Sequence, residues 1–566
     1  MKRTPSCQRS RLVLLVIFLG VVSTTSGCAT MQEWWRNGAK VGPNFTSPPP
    51  SVAPDWIDKG KTNDTKTAKV SSERADISAW WGVFNDPDLN TIIETASRQN
   101  LDVQAAGARI MQARALRNVA VGSLFPQQQE SIFQYNRTQN SQNGQFGGFP
   151  GFNVFDLWST GFNLSWELDF WGRYRRGVEA ANANLNASIE NRNDVMVILL
   201  SEVAANYVQF RTFQERIRLA KDNAKIQQEL LGLSQKRLEK GATDILDVAQ
   251  LDSNLNTTLA LISRLEYGQR QASNQLCILL GTPPRDLAAE LGAAPIPTSP
   301  AEVAAGLPID LLRQRPDLRR AESELVAQNA RVGVATADFF PRITIFGSMG
   351  YDAKDLADLF TANSFRGSIT PNLTWDILNY GRLLNKVRFQ DALYQEKALK
   401  YQNTVLQAAR EVEDSMKAFL QSHDQAARLD KGAKAARLAV DTVIVQSKQQ
   451  KFDVNRQFTT TNFRVQTEDS LAVARGEVAL SLISLYKSLG GGWEIGSETS
   501  PSGNPHKLNH RERRGMHAEI SLAPALPVTN EPTNNSPLSV EPLENRQVRD
   551  VGPRFGSPTS VVRPAQ

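Results

Sequence analysis

The stretch FNLSWELDFWGR, ending at Arg173, recurs as PNLTWDILNYGR, ending at Arg382, 209 residues later. Trp166 answers Trp375, Trp171 answers Tyr380, Gly172 answers Gly381 and Arg173 answers Arg382, all at that one offset. Each copy alternates. In the first, Phe162, Leu164, Trp166, Leu168 and Phe170 share a face, against Asn163, Ser165, Glu167 and Asp169. In the second, Ile369, Pro371, Leu373, Trp375 and Ile377 oppose Ser368, Thr370, Asn372, Thr374 and Asp376. Period-two segments of about ten residues, apolar on one side and aromatic near one end, suit a β-strand that crosses a membrane. With the less regular partners SIFQYNRTQ and RITIFGSMGY they make two hairpins, at about 130–170 and 342–378. Four strands cannot close a membrane barrel, whose smallest form has about eight, and an open edge in lipid leaves backbone groups unpaired. Several copies must therefore share one barrel. Three copies give about twelve strands around a hollow, and two give about eight with side chains filling the interior; the polar inward faces favour three. A half-buried sheet on a soluble core is the alternative. Pro371 costs a ladder hydrogen bond unless it stands at an edge or a bulge.

Further landmarks keep the register. Asp244 pairs with Asp453, and LeuGly at 280–281 with LeuGly at 489–490. LFP (124–126) and FFP (339–341) stand 215 apart instead, so the first half carries six extra residues in what must be a surface loop. Each half reads as a helix (Leu89 to about Val121; Ile309 to about Ala337) stopped by the FP proline, then a hairpin, a long helix and a second helix ending at LeuGly. The long segments run roughly 68 residues without proline, or about 100 Å at 1.5 Å per residue. No globular core needs helices of that length. Ile217, Ala220, Ala224, Gln227, Leu231, Ser234 and Leu238 fall at alternating steps of three and four, a coiled-coil seam. Periodicity alone also admits a plain coiled-coil rod.

Residues 1–27 read as a targeting segment. Lys2, Arg3, Arg9 and Arg11 precede the apolar run Leu12 to Val22, which is too short to span a bilayer. The following TTSGCAT resembles a bacterial lipoprotein signal, with Cys28 as the lipidated first residue, although Thr25 stands where an aliphatic residue is usual. Ordinary cleavage with an unmodified Cys28 is the alternative. Diacylglyceryl and N-acyl chains on Cys28 would hold the protein stably, at about 0.8 kcal/mol per buried CH2. Thr30 is not the Asp that retains such proteins in the inner membrane. Residues 28–79 then form a lipid-anchored, Pro- and Ser-rich extended leader, and residues 494–566 a tail expected to be disordered.

With Cys7 removed and Cys28 acylated, only Cys277 remains, so the mature chain has no internal disulfide and stability must come from packing. The formal net charge is +6, of which the targeting segment carries four, so nothing points to nucleic acid. GxSxG, GKS/GKT, HExxH and CxxC motifs do not occur, and His506, His510 and His517 lie in the tail; neither an enzyme, a metal site nor a cofactor is expected.

The segment Ala79–Ala115, the two FP motifs, the two NLxW-to-GR stretches and LYKSLGGGW at 485–493 together resemble the TolC-like outer-membrane factors, in particular their NodT-type lipoprotein branch, over about 28–493. The resemblance implies an α+β membrane protein: a homotrimer with a shared twelve-stranded barrel, four strands per chain, and a long periplasmic α-helical barrel. Residues 80–290 and 291–493 would be its two structural repeats. It implies the outer-membrane channel of a tripartite efflux system, a passive duct for small molecules. A periplasmic adaptor and an inner-membrane transporter of the resistance-nodulation-division class would be its partners. The duct of a type I protein-secretion system is the alternative within that architecture, and a lipid-anchored periplasmic coiled-coil scaffold is one outside it.

In that family the periplasmic mouth closes at the helix tips, near an Asp three residues after a turn Gly. Gly241 and Asp244 fit this pattern; in the second half Gln450 replaces the Gly while Asp453 keeps its place. A left-handed turn disfavours Gln. Three copies of Asp453 near a threefold axis would repel one another and draw cations. Asp453 is thus the first gate candidate, Asp244 and Asp247 the next, and Arg456 and Arg237 candidates to pair with them. Solvated tip charges are the bland alternative. Trp166, Trp171, Gly172, Trp375, Tyr380 and Gly381 mark the barrel-to-helix junction. Cys28→Ser is expected to abolish labelling of the mature chain by radioactive palmitate; label retained on that variant would refute an anchor at this residue.

Overall fold

A computed structural model describes residues 31–495, apart from 50–51, 59, 72, 74–75, 142, 144–153, 311–313 and 449–453. Cys28, Gln450, Asp453 and the tail from 496 onward lie outside the described residues. In chain order the main elements are α1 (Met31–Arg36), β1 (Lys69–Ser71), α2 (Pro87–Gln99), α3 (Leu101–Gly122), β2 (Gln128–Gln139), β3 (Val154–Leu168), α4 (Arg173–Glu239) and α5 (Ile245–Leu279). There follow α6 (Leu287–Leu291), β4 (Glu302–Ala304), α7 (Pro316–Ala337), β5 (Arg342–Ala353), β6 (Phe365–Thr374), α8 (Arg382–Lys448) and α9 (Val454–Ser488). Helices α4 and α8 are each 67 residues long and α5 and α9 each 35, and all four boundaries of the first pair recur at the 209-residue offset. Among the described residues no helix is long and apolar enough to cross a membrane.

The single helix expected from Leu89 is broken at Asn100. Its side-chain oxygen accepts from Asp102 N and Val103 N, so Asn100 caps α3 and cannot remain inside a continuous helix. In the second half α7 starts at Pro316, because proline lacks the N–H that a helix interior needs and serves at the first position, and Arg315 breaks it from the helical Gln314 before it. These two starts have a common purpose. Asn100 Nδ2 donates to the carbonyl of Leu279, the last residue of α5, at 2.9 Å; Arg315 Nη1 donates to the carbonyl of Ser488, the last residue of α9, at 2.7 Å. Gly281 and Gly490, the glycines of LeuGly, then turn away with φ of 70° and 78°. A Cβ on Gly490 would stand 2.9 Å from Arg315 Cα, so the motif serves both a left-handed turn and a close backbone approach.

Along the seam of α4, Ile217, Ala220, Ala224, Gln227, Leu231 and Ser234 are all buried, as the spacing predicts. Gln227 and Ser234 leave side-chain polar atoms buried without a partner. The two helical hairpins carry the same ion pair with its signs exchanged: Lys221 with Glu266 at 2.8 Å, and Asp430 with Arg475 at 3.1 Å, each residue 209 from its counterpart. The largest core gathers Trp80, Leu200, Tyr207, Phe210, Phe419 and Tyr486 around the middle of the long helices. At its margin the fully buried Arg211 donates to Tyr207 Oη, Gln214, the Gly292 carbonyl and Asp88. These bonds, with a fifth to the Leu291 carbonyl at 3.4 Å, offset the desolvation of that cation.

The leader lies against this body. Trp34, Val41, Trp56, Ala68 and Val70 are buried, and β1 pairs in parallel with β4. The Asp424 carboxylate on α8 accepts from Asp64 N, Thr65 N and the Thr65 hydroxyl. Burial alone would raise the Asp424 carboxyl, but these donors outweigh it and hold it below the usual carboxylate range.

The four hairpin strands form one antiparallel sheet in the order β2-β3-β5-β6. Its register merges the two apolar faces: Leu164 lies opposite Gly347, which lies opposite Ile369, while Asn163, Ser348 and Ser368 follow one another on the other face. Pro371 stands on β6 opposite Ile345 of β5, at an edge of the sheet within a single chain. Asn100→Ala removes a helix cap and strands the Leu279 carbonyl, so a loss of about 2 kcal/mol is expected, while Asn100→Asp should keep roughly the capping half of it. Thermal unfolding in detergent, compared across the two variants, measures this.

Candidate functional site

At the sheet-to-helix junction both halves use the same device. Trp166 Nε1 donates to the carbonyl of Leu124 at 3.3 Å, and Trp375 Nε1 to the carbonyl of Phe339 at 2.9 Å. Leu124 and Phe339 open the LFP and FFP motifs, so each tryptophan ties the end of a hairpin to the helix that enters it. A helix stopped by proline leaves terminal carbonyls in need of donors, and an indole N–H supplies one at the membrane boundary. The acidic residue after the tryptophan then meets the arginine after the glycine: Glu167 with Arg173 at 3.3 Å, and Asp376 with Arg382 at 3.5 Å. Gly172 and Gly381 both adopt φ of 81° and turn the chain from strand into helix. A Cβ on Gly172 would also stand 2.8 Å from Lys40 Cα, where the leader crosses.

Trp171 and Tyr380, equivalent in sequence, differ in surroundings. Trp171 stacks on Phe340 at 4.5 Å and donates from Nε1 to the Pro341 carbonyl at 2.9 Å, joining the first half to the second. Tyr380 is 97% exposed and holds a left-handed backbone with φ of 49°. Sequence reasoning missed the residues that fasten the leader here. Asp169 accepts from Tyr174 N and Arg175 N, capping α4, and holds Arg175 Nε at 2.9 Å. Arg175 donates to the Ala39 carbonyl, and the buried Arg176 to the Val41 and Gly42 carbonyls. Lys40 meanwhile pairs with Glu179. The sequence signal was the basic run RYRR at 173–176, which follows the acidic Glu167 and Asp169 with three residues between.

At the far end of α4 the first tip is described in full. Gly241 turns with φ of 65°, its N–H donating to the Leu238 carbonyl and that of Ala242 to the Arg237 carbonyl. Asp244 is the N-cap of α5, accepting from Ile245 N at 2.6 Å, and Asp247 accepts from the Thr243 hydroxyl at 2.6 Å. Both carboxylates therefore have local work at a helix N-terminus, where negative charge is favoured. Arg456 is exposed on the first turn of α9. Asp453, directly before that helix in sequence, and Gln450 lie outside the described residues. Among the described residues no group of His, Cys, Asp or Glu is arranged to hold a metal.

The polar face of the sheet, lined by Gln128, Glu130, Asn163, Ser165, Ser348 and Ser368 with Phe346 among them, is a largely wettable wall, and the apolar face is bare. Ile369 is 80% exposed there and Met349 58%. A sheet with one wet and one apolar face, continued by helices of about 100 Å, has the form of a conduit anchored in lipid.

Comparison with known proteins agrees. The outer membrane efflux protein family matches residues 92–282 and 307–491, once in each half. Nodulation protein T of Rhizobium leguminosarum bv. trifolii is 30% identical over 400 residues, covering 68% of this chain and 79% of that protein. The pyoverdine export outer membrane protein OpmQ of Pseudomonas aeruginosa is 30% identical over 431 residues, covering 75% and 89%. The structure of the outer-membrane channel OprN superposes with a TM-score of 0.74 at 29% identity, covering 80% of this chain and 99% of that one. The chain belongs to the outer membrane efflux proteins: it is an outer-membrane efflux channel of NodT type with the TolC-like fold, its helical barrel standing in the periplasm.

Proposed function

We propose that three copies of this chain close one barrel and serve as the passive exit duct of a tripartite pump. The observation that carries this is the sheet itself: four strands, one face apolar and exposed, with β2 and β6 left as free edges. Open edges are not tolerated in lipid, and about twelve strands leave a water-filled lumen. The helices support the same count. Helix α7 packs between α4 and α8 and buries Leu318, Leu325, Ala330 and Val332. Helix α3, of equal length, buries only Val103 and Ala106 and leaves Met111, Leu116 and Val119 bare. On α8, Leu384, Phe389 and Leu399 are likewise exposed and offer the matching surface.

The duct needs no catalytic chemistry and no cofactor. Lipid on Cys28 would hold the leader in the same membrane as the barrel. A periplasmic adaptor and an inner-membrane transporter of the resistance-nodulation-division class would load it, with small molecules as cargo; OpmQ, by its name, exports pyoverdine. The division into repeats at 80–290 and 291–493 places one hairpin and one pair of long helices in each.

At the tips, Asp453 stands 209 residues after Asp244 and directly before α9, as Asp244 stands directly before α5. Three copies of it, with Arg456 beside them, would narrow the mouth and favour cations, while Asp244 and Asp247 act chiefly as caps. Asp453→Ala is expected to raise single-channel conductance in planar bilayers several-fold and weaken cation preference; unchanged conductance and selectivity would sink the gate. Deleting the gene should raise intracellular retention of a toxic small compound, restored by the wild-type chain. Unaltered retention across a panel, with loss of a secreted protein instead, would overturn small-molecule export.

A further inference from the structure

We infer that the seam between neighbouring copies repeats the seam between the two halves of one chain, with Tyr380 seated on Phe125 and Pro126 of the next copy and Leu373 opposite its Phe133. The inference rests on the threefold assembly proposed above and specifies its contacts.

The two halves are equivalent in structure as well as sequence. The boundaries of α4 and α5 recur 209 residues on in α8 and α9 and those of α3 recur 215 residues on in α7, and the Trp166 and Trp375 bonds, the Glu167 and Asp376 ion pairs and the Asn100 and Arg315 bonds recur in place. Within a chain the first half meets the second through β3 against β5 and through Trp171 on Phe340 and Pro341. Advancing by one half carries Trp171 to Tyr380, and Phe340 and Pro341 to Phe125 and Pro126 of the next copy. It also carries β3 to β6 and β5 to β2. The strand correspondence is set by the hairpins: Gln128 lies opposite Ser165 and Arg342 opposite Thr374, and Ser165 and Thr374 are 209 apart. The in-chain pairs Leu164 with Gly347 and Gly161 with Gly350 then become Leu373 with Phe133 and Thr370 with Asn136.

Two observations support this register. Leu373 and Phe133 both lie on the apolar face, and Thr370 and Asn136 both on the polar one; a slip of one residue would mix the faces. The residues it brings together are those left bare in one chain: Tyr380 at 97% exposure, and Phe125, Leu373 and Phe133 each at 63–64%. Tyr380 presents its ring from a left-handed backbone that a residue with a Cβ adopts only at a cost, and its hydroxyl can donate to a carbonyl as the Trp171 indole does.

The repetition is incomplete in an informative way. Arg319 with Glu190 at 2.6 Å and Arg320 with Asp194 at 3.0 Å pin α7 to α4 in the chain. Their counterparts between copies are Gln104 with Leu399 and Ala105 with Asn403, which carry no charge. Arg176 and Gly333, where the leader crosses, become Asn385 and Asn118. The seam between copies therefore lacks the counterparts of these two ion pairs and of the strap, depends more on strand pairing and aromatic packing, and should be less sensitive to salt than the seam within the chain.

Three double-cysteine variants test the register: Leu373→Cys with Phe133→Cys, and Leu373→Cys with either Ser131→Cys or Tyr135→Cys for slips of two. Cys277 is fully buried and stays as it is. On oxidation in membranes the first pair should give covalent dimers and trimers on non-reducing gels, at several-fold higher yield than the slipped pairs. A slipped pair dominating, or no cross-link from any pair although the single-cysteine variants form trimers, overturns the inference. Monomers throughout would instead overturn the threefold assembly. Tyr380→Ala should lower the temperature at which the trimer dissociates, in low and high salt alike, and Tyr380→Trp should restore it. An unchanged temperature for Tyr380→Ala removes the aromatic seat.

Discussion

Backbone N–H and C=O groups have no partner in hydrocarbon, and the rest of this molecule is arranged around that constraint. Four strands pair among themselves and leave two edges, so the sheet is a fragment of a structure that only further copies complete. The remainder of the chain must hold the fragment in a pose that permits closure. Hence the density of specific bonds where strands become helices. An indole donates to the carbonyl that a proline-stopped helix leaves over, an ion pair spans the turn, and a left-handed glycine sets the exit angle.

Duplication makes that economy visible. The same few bonds recur in both halves, and where they differ the difference has a location. The first half fastens the leader at the junction through Asp169, Arg175 and Arg176; the second half has Leu378, Leu384 and Asn385 in those places and holds the leader elsewhere, through Asp424 on α8. Trp171 is seated and Tyr380 is bare. The exchanged signs of Lys221 with Glu266 and Asp430 with Arg475 show that an ion pair can keep its place while each member changes charge, because the attraction depends on the product of the charges.

Much of the fold was legible because its periodicities are long and uninterrupted. A seam of seven positions and two strands of strict alternation leave few alternatives, and six of the seven, all but Leu238 at the tip end, are buried as the spacing requires. Boundaries were less legible. Asn100 reads as an ordinary helical residue until its side chain is seen capping α3 and reaching the end of α5, a contact between residues 179 apart. The tip acids show the same limit. Asp244 and Asp247 have the right residue type for a charged ring, yet both serve the turn and helix start beside them, which only the placement of Ile245 N and the Thr243 hydroxyl reveals.

The sequence by itself determined the period of each segment, the duplication, and thereby the count of four strands whose open edges demand further copies, because these depend on the order of apolar and polar residues along the chain. Only the tertiary structure decided which faces merge, which carbonyl each tryptophan serves, and which of two equivalent aromatics is already seated. Those outcomes depend on strand register and on contacts between residues far apart in the chain, such as Trp171 with Pro341 and Arg315 with Ser488, which no local pattern encodes.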